Sequence, residues 1–537
     1  MMSQRPRYDL RTEPWIAVTD LAGRPRMAGL REVFLSAHEL RVVVDSSPLV
    51  VAALMRYLVA FGHRIVGGPT DEAAWATLRD AGRFEPDAVV RYLDAVDDRL
   101  DLFHATRPFG QVTGLAERAK ELASLARLVP ERPGADKPVF FEHRLPASGA
   151  SPAEAARALV AWQTFALARA QAQWPGGPFR AAKDAPAARY AIIMVAAPTL
   201  YATLIANLEA YDPAAGLPAG TTAGDRPAWE REPLTGPGAR HPDGLLDLLT
   251  WRSRAVEFVP VVEHGVVWVA GLVEFDGETC VALPEDLPDP FVALRARAKP
   301  KEGESPWLRV ELGRDRMAWR DSLALLGGTS TDAGRVRRPG ILSFHARLAE
   351  LGYADAAGVL PVTVLGQATE PGQNKVHGTR REMLAPPVAA LLDAEANRRD
   401  VVAIAIAMAE AGERALLRSG ALNKLLEPEA ASLPEMGPRT PAGVRVRAGV
   451  REAIEHFGGA SGYWSALDGS FRRLLLDLAA VAPGYAEILG RWRATVDRAA
   501  GDAFEDALTA FPAQPFALAA GETIFRQALR RYLDAVA

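Results

Sequence analysis

Nine histidines are spread along the chain, at positions 38, 63, 104, 143, 241, 264, 345, 377 and 456. Two ligands on one helix face must stand about four residues apart, and no two of these histidines come within five. There is no HExxH pair and no GxSxG elbow, and no lysine follows a glycine to make a phosphate-cradling GK[ST] loop. The single cysteine, Cys280, cannot form a disulfide within the chain or build a thiolate metal cluster. Acidic pairs such as Asp97-Asp98 and Glu505-Asp506 read as solvated helix faces. The expectation is a chain with no catalytic residue, no metal and no cofactor.

Four stretches have the residue types for binding instead. Trp174-Pro-Gly-Gly-Pro-Phe179 reads as a tight loop or a plain connector; its glycines let backbone approach a ligand closely. Phe140-Phe-Glu-His-Arg144 offers aromatic and basic groups, or is a strand entering the core. Arg314, Arg316, Arg320, Arg335, Arg337 and Arg338 form an arginine-rich region, or a solvated surface. Gly366 to Gly378 is turn-rich and amide-rich, a recognition tip or an inter-domain linker. None of these names a ligand unaided.

Elements must hold these residues in place. A chain of 537 residues is too long for one core. With 49% apolar and 24% charged residues and a formal charge of −4, it has the composition of a globular protein and no uniformly basic coat. Of its 62 basic residues only 7 are lysine, so phosphate or carboxylate contacts fall mainly to arginine forks. Trp15 to Val18 reads as a strand, Leu30 to Phe34 opens a helix, and Ser47-Pro48 starts another that runs to about Phe61. Tyr190 to Leu208 is uncharged for 19 residues and reads as a buried core helix rather than a membrane span. Val256 to Val262 and Val266 to Phe275 flank Glu263-His264-Gly265 as a hairpin. Pro- and Gly-rich loops occupy about 210–245 and 283–306.

From about Pro386 the period changes. Val401, Phe471, Tyr485 and Phe525 each begin an i, i+3, i+4, i+7 apolar stripe, so four amphipathic helices must bury one another's faces. With 19 basic and 20 acidic residues from Arg380 onward, that region is not a basic arm. The N-terminus has no apolar core of a secretory signal, so the expected location is the cytoplasm, without a membrane.

At these residues the chain resembles a known family: CasA, the large subunit of the type I-E CRISPR surveillance complex, Cascade. The likeness is collinear, through Glu13-Pro-Trp-Ile16, Leu30-Arg-Glu-Val-Phe34, Leu102 to Gln111, Trp174-Pro-Gly-Gly, Thr199-Leu with Asn207-Leu, Pro227-Ala-Trp229, Leu249-Thr-Trp-Arg-Ser-Arg254, and Glu455-His-Phe457 with Tyr463-Trp464. The resemblance implies an α+β protein: a mixed α/β N-terminal domain of unusual fold over residues 1–380, then a C-terminal four-helix bundle over 381–537. It implies a non-enzyme whose partners are guide RNA (crRNA), target double-stranded DNA, other Cascade subunits and a helicase-nuclease that docks on it. Such a subunit recognises the protospacer-adjacent motif (PAM) and helps open the duplex. Carried over by position, Gly176 and Gly177 match a glycine loop against the PAM minor groove. Phe141 and His143 fall where a loop meets the guide's 5′ end. Gln373 and Asn374 match an amide wedge, with Lys375 beside it. The family's lysine finger has no counterpart from 184 to 298; Arg295, Arg297, Lys299 or Lys301 could replace it. The alternative is a purely structural scaffold subunit that touches no DNA.

Overall fold

The computed structural model describes residues 5–118, 121–128, 149–168, 174, 182–281, 289–297, 305–312, 318–321, 325–326, 336–369, 376–392, 396–426, 459–480, 484–510 and 515–536. It is a mixed α/β protein that divides into two compact units. The first comprises Met1–Arg314, Arg337–Ala354 and Pro361–Met383; the second comprises Asp315–Val336, Asp355–Leu360 and Leu384–Ala537.

The first unit is organised around the helix Pro48–Val66. Ser47 caps it by accepting from the Leu49 and Val50 amides, Pro48 occupies the first turn, and Gly67 ends it at φ 76°. It is the one described helix long and apolar enough to cross a membrane, but 89% of that window is buried inside the protein. Its Phe61 stacks on Trp229 at 3.8 Å, and Tyr57 packs on Trp229 and Phe109. Burying each such side chain contributes roughly 1.5–3 kcal/mol. The helix also carries Arg56, paired at 2.8 Å with Asp289 where both side chains are 1% exposed.

Around it lie small sheets. Ile16–Asp20 pairs antiparallel with Pro25–Ala28 and with Leu40–Val43. The long hairpin spans Arg254–Glu263 and Val266–Asp276. Its two-residue turn, His264-Gly265, has φ 51° and 78°, the left-handed pair a tight hairpin needs, and Pro260 falls at its bulge. The segment Tyr190 to Leu208 departs from the expected single helix. It forms the buried strand Ile192–Val195 and then the short helix Leu200–Ala206. Pro198 lies between them, and Thr199 caps the helix through the Ala202 amide. The 19 uncharged residues report burial, which a strand and a helix share.

The second unit is helical among its longer described elements: Ala396–Arg418, Ala421–Leu426, Ala460–Ala479, Tyr485–Ala510 and Pro515–Asp534. The four expected stripes fall on four of these helices. The helix Ala460–Ala479 runs through Gly462. Within this unit Trp319, fully buried, stacks on Phe471 at 4.3 Å and meets Trp464 and Trp492. Arg320 lies 3.6 Å over Trp464 and pairs with Glu413. Arg320 is therefore built into the helical core rather than spread on a solvated surface.

Candidate nucleic-acid interface

All seven residues expected at the site lie outside the described residues: Phe141, His143, Gly176, Gly177, Gln373, Asn374 and Lys375. The structure describes the ground each of their loops leaves and returns to. Residues 370–375 fall between two neighbouring strands of one sheet, Val362–Thr369 and Val376–Leu384. The inner strand is buried and pairs antiparallel with Ile192–Val195. Gln367, fully buried, donates to the Phe165 and Ala188 carbonyls at 2.9 and 2.5 Å. Gly366 lies so close to the Tyr190 carbonyl that a Cβ there would meet it at 2.7 Å. The outer strand Val376–Leu384 is mostly half-buried, and its tip side carries His377 and Arg380.

The glycine-bearing segment leaves and returns through described residues, and Trp174 within it is described as well. Ala168 donates its amide to Asp184 Oδ1 at 2.6 Å, which closes the loop's base. Trp174 donates Nε1 to the Asp276 carbonyl and packs against Phe275. The buried Arg254 holds the Leu167 carbonyl at 2.7 Å and faces Glu274 at 3.6 Å, while Trp162 Nε1 and Arg127 also bind Glu274. The third loop, which holds 141 and 143, starts after the buried Leu128 and returns at Ala150, which bridges Val269. Described residues flanking all three segments rest on one frame: the long hairpin and the helix Pro152–Phe165, with its Ser151/Glu154 capping box.

Several motif residues that carried the resemblance are structural. Gln111 bridges the Leu102 carbonyl and the Phe258 amide, and Asn207 ties its helix to both backbone groups of Val195. Trp229 donates to the Tyr92 hydroxyl. Such buried amide and indole pairs specify a fold without touching a ligand.

A groove of about 510 Å³ opens at the base of the glycine loop, where Ala168 and Lys183 line it. Its floor is a three-stranded sheet of Leu294–Ala296, Trp307–Arg309 and Val336–Arg337, with Leu294–Ala296 central. Trp307 stands opposite the small Ala296. Arg337 reaches over Trp307 with its guanidinium 4.1 Å from the ring centre, and Arg309 lies 4.7 Å over Tyr190. Among the described residues Lys183, Arg309 and Arg337 have no carboxylate partner, whereas the groove's two carboxylates are committed. Asp184 binds Arg189 at 2.6 Å, and Asp289 binds Arg56. Cys280 lines one wall, its thiol pushed up to about 11 by burial. Of the lysine-finger alternatives, Arg297 lines the groove and Arg295 is exposed on the central strand; Lys299 and Lys301 lie outside the described residues. Of the groove's residues, the sequence offers only Arg297 and Arg337 as binding candidates. The alternation Trp307-Leu-Arg309 is the signal that places two binding side chains on one strand face.

The family described as CRISPR-associated protein Cse1 matches residues 9–503. The curated CRISPR-associated protein CasA/Cse1 of Thermus thermophilus is 33% identical over 402 residues, covering 72% of each chain. The crystal structure of Thermobifida fusca Cse1 superposes with a TM-score of 0.80 at 27% identity over 99% of each chain. A chain of a solved CRISPR RNA-guided surveillance complex shares the fold, with a TM-score of 0.72 at 22% identity over 99% of each chain.

Proposed function

The chain belongs to the CRISPR-associated Cse1 family, and from that membership we propose that it is the large subunit of a type I-E RNA-guided surveillance complex. In this reading it performs no bond chemistry. It reads the PAM on double-stranded DNA, helps open the duplex for guide-RNA pairing, and docks the helicase-nuclease. The observation that carries the reading is the family match over residues 9–503. The fold shared with a chain of a surveillance complex supports a place beside guide RNA and other subunits.

The physics of the proposed steps suits the residue types. A minor-groove reader mainly separates A·T from G·C, so a close backbone at Gly176 and Gly177 suits a short, tolerant check. A wedge of Gln373 and Asn374 unstacks a base step at a cost of about a few kcal/mol. The stiff base under residues 370–375 supports that role, because a wedge must push against something that does not yield. Guide pairing then supplies the long sequence test. Cytoplasmic residence is part of the proposal.

The test uses the assembled complex. The double variant Gln373→Ala with Asn374→Ala should reduce permanganate reactivity of thymines beside the PAM while leaving initial PAM association nearly intact. Unchanged thymine reactivity removes the wedge assignment. The formal charge of −4 favours a second reading, a scaffold that touches no DNA. Salt separates the two: phosphate contacts make affinity fall steeply with ionic strength, and a scaffold shows no such slope of its own.

A further inference from the structure

We propose that the groove between Lys183, Tyr190, Trp307 and Arg337 is a seat for one unpaired DNA nucleotide, filled when the duplex opens. The proposal deepens the reading above and rests on it. A volume of about 510 Å³ has room for a base with its sugar and phosphate. Duplex DNA does not fit into a cleft of that size.

The lining has the two parts such a ligand needs. One is a stacking surface. Arg337 over Trp307 and Arg309 over Tyr190 form two aromatic–guanidinium plates, at 4.1 and 4.7 Å. Unpaired bases stack on aromatic rings and on guanidinium planes alike, whatever their identity. The other part is unspent positive charge. Among the described residues Lys183, Arg309 and Arg337 have no carboxylate partner, so a phosphate there displaces no internal ion pair. A groove built only for fold stability would place carboxylates against those cations. Here Asp184 and Asp289 are instead turned to Arg189 and Arg56. The groove also begins at the closed base of the glycine loop, through Ala168 and Lys183. A strand released beside that loop has a short path to it.

Cys280, the only cysteine in the chain, lines this groove and reports on it without labelling elsewhere. The full-length protein is titrated with a 15-nucleotide single-stranded DNA, the same sequence as RNA, and the same sequence as duplex. Affinity is read by fluorescence anisotropy and groove occupancy by the rate at which a thiol reagent modifies Cys280. Single-stranded DNA should slow the thiol reaction at least fivefold, and duplex should not. Trp307→Leu should weaken single-strand binding about tenfold, in line with the loss of one stacked base, and change duplex binding less than twofold. Arg337→Gln, an exposed edge residue, gives the same pattern without touching the core. Equal losses for single strand and duplex, no protection of Cys280, or protection by RNA but not by DNA each overturn the proposal. Failure of the parent reading looks different: the assembled complex then ignores the PAM while single-stranded DNA still protects Cys280.

Discussion

The buried His63 and the half-buried Glu209 show how much a single group can shape the behaviour of this protein. His63 is 1% exposed, packs 5.0 Å from Tyr211, and has no hydrogen-bond partner at either ring nitrogen. Burial pushes its pKa down to about 3 from 6.5. Between those values the unfolded chain binds a proton that the folded chain refuses, so stability rises with pH by about 1.4 kcal/mol per unit. Glu209 has the opposite sign. Burial, helped by the negative charge of Asp289, pushes its pKa up to about 8 from 4.5. Between those values the folded chain keeps a proton the unfolded chain has lost, so stability falls as pH rises. From pH 4.5 to 6.5 the two effects cancel. Relative to wild type, His63→Leu should therefore lose stability with rising pH in that window, and Glu209→Gln should gain it. Urea midpoints measured from pH 4.5 to 6.5 check this; two variant curves parallel to wild type would show that neither group titrates differently on folding.

At the scale of elements, what the sequence disclosed depended on whether the signal was local. The hairpin at 254–276 was legible because β-branched runs flank a His-Gly turn, and the helix at Pro48 because Ser-Pro is a local start signal. The run 190–208 was misread because hydrophobicity alone cannot separate a buried strand from a buried helix. The groove was illegible because Lys183, Cys280, Trp307 and Arg337 are far apart in sequence and only the tertiary fold brings them together. The loop residues expected at the interface were named by type and order, while their anchors, Gln367 and Arg254, are buried side chains whose partners come from distant segments. Trp319 belongs to the same class of non-local fact. It lies within an arginine-rich stretch that reads as surface, yet it is fully buried against Phe471, Trp464 and Trp492. Trp319→Ala should cost about 3–5 kcal/mol through the cavity it leaves. Trp319→Phe should cost far less, because the Trp319 Nε1 is buried without a partner and phenylalanine removes that unsatisfied donor. Chemical denaturation of both variants decides; a Phe variant as damaged as the Ala variant shows that the indole N–H is satisfied after all.

For the whole molecule, the consequence lies in how the chain is shared out. It passes from one unit to the other after Arg314, Val336, Ala354, Leu360 and Met383. Neither unit is a continuous piece of sequence. The helical unit takes in Asp315–Val336, which brings Trp319 and Arg320, and Asp355–Leu360, whose Val359 bridges Pro387. The first of these segments fills apolar and ionic positions that the helices from Ala396 onward leave open: the aromatic cluster around Trp464 and the carboxylate of Glu413. A fragment beginning at residue 384 therefore lacks part of its own core. Expressed alone, it should keep most of its helical far-ultraviolet signal, because the stripes of its long helices still bury one another. It should also bind a hydrophobic dye and unfold with low cooperativity, as a core with a missing wedge does. Adding a peptide covering 315–336 should reduce the dye signal by refilling the site, and the same peptide carrying Trp319→Ala should not. A fragment that unfolds as cooperatively as the full chain and ignores the peptide would show that the helices are self-sufficient and that the Trp319 segment only rests upon them.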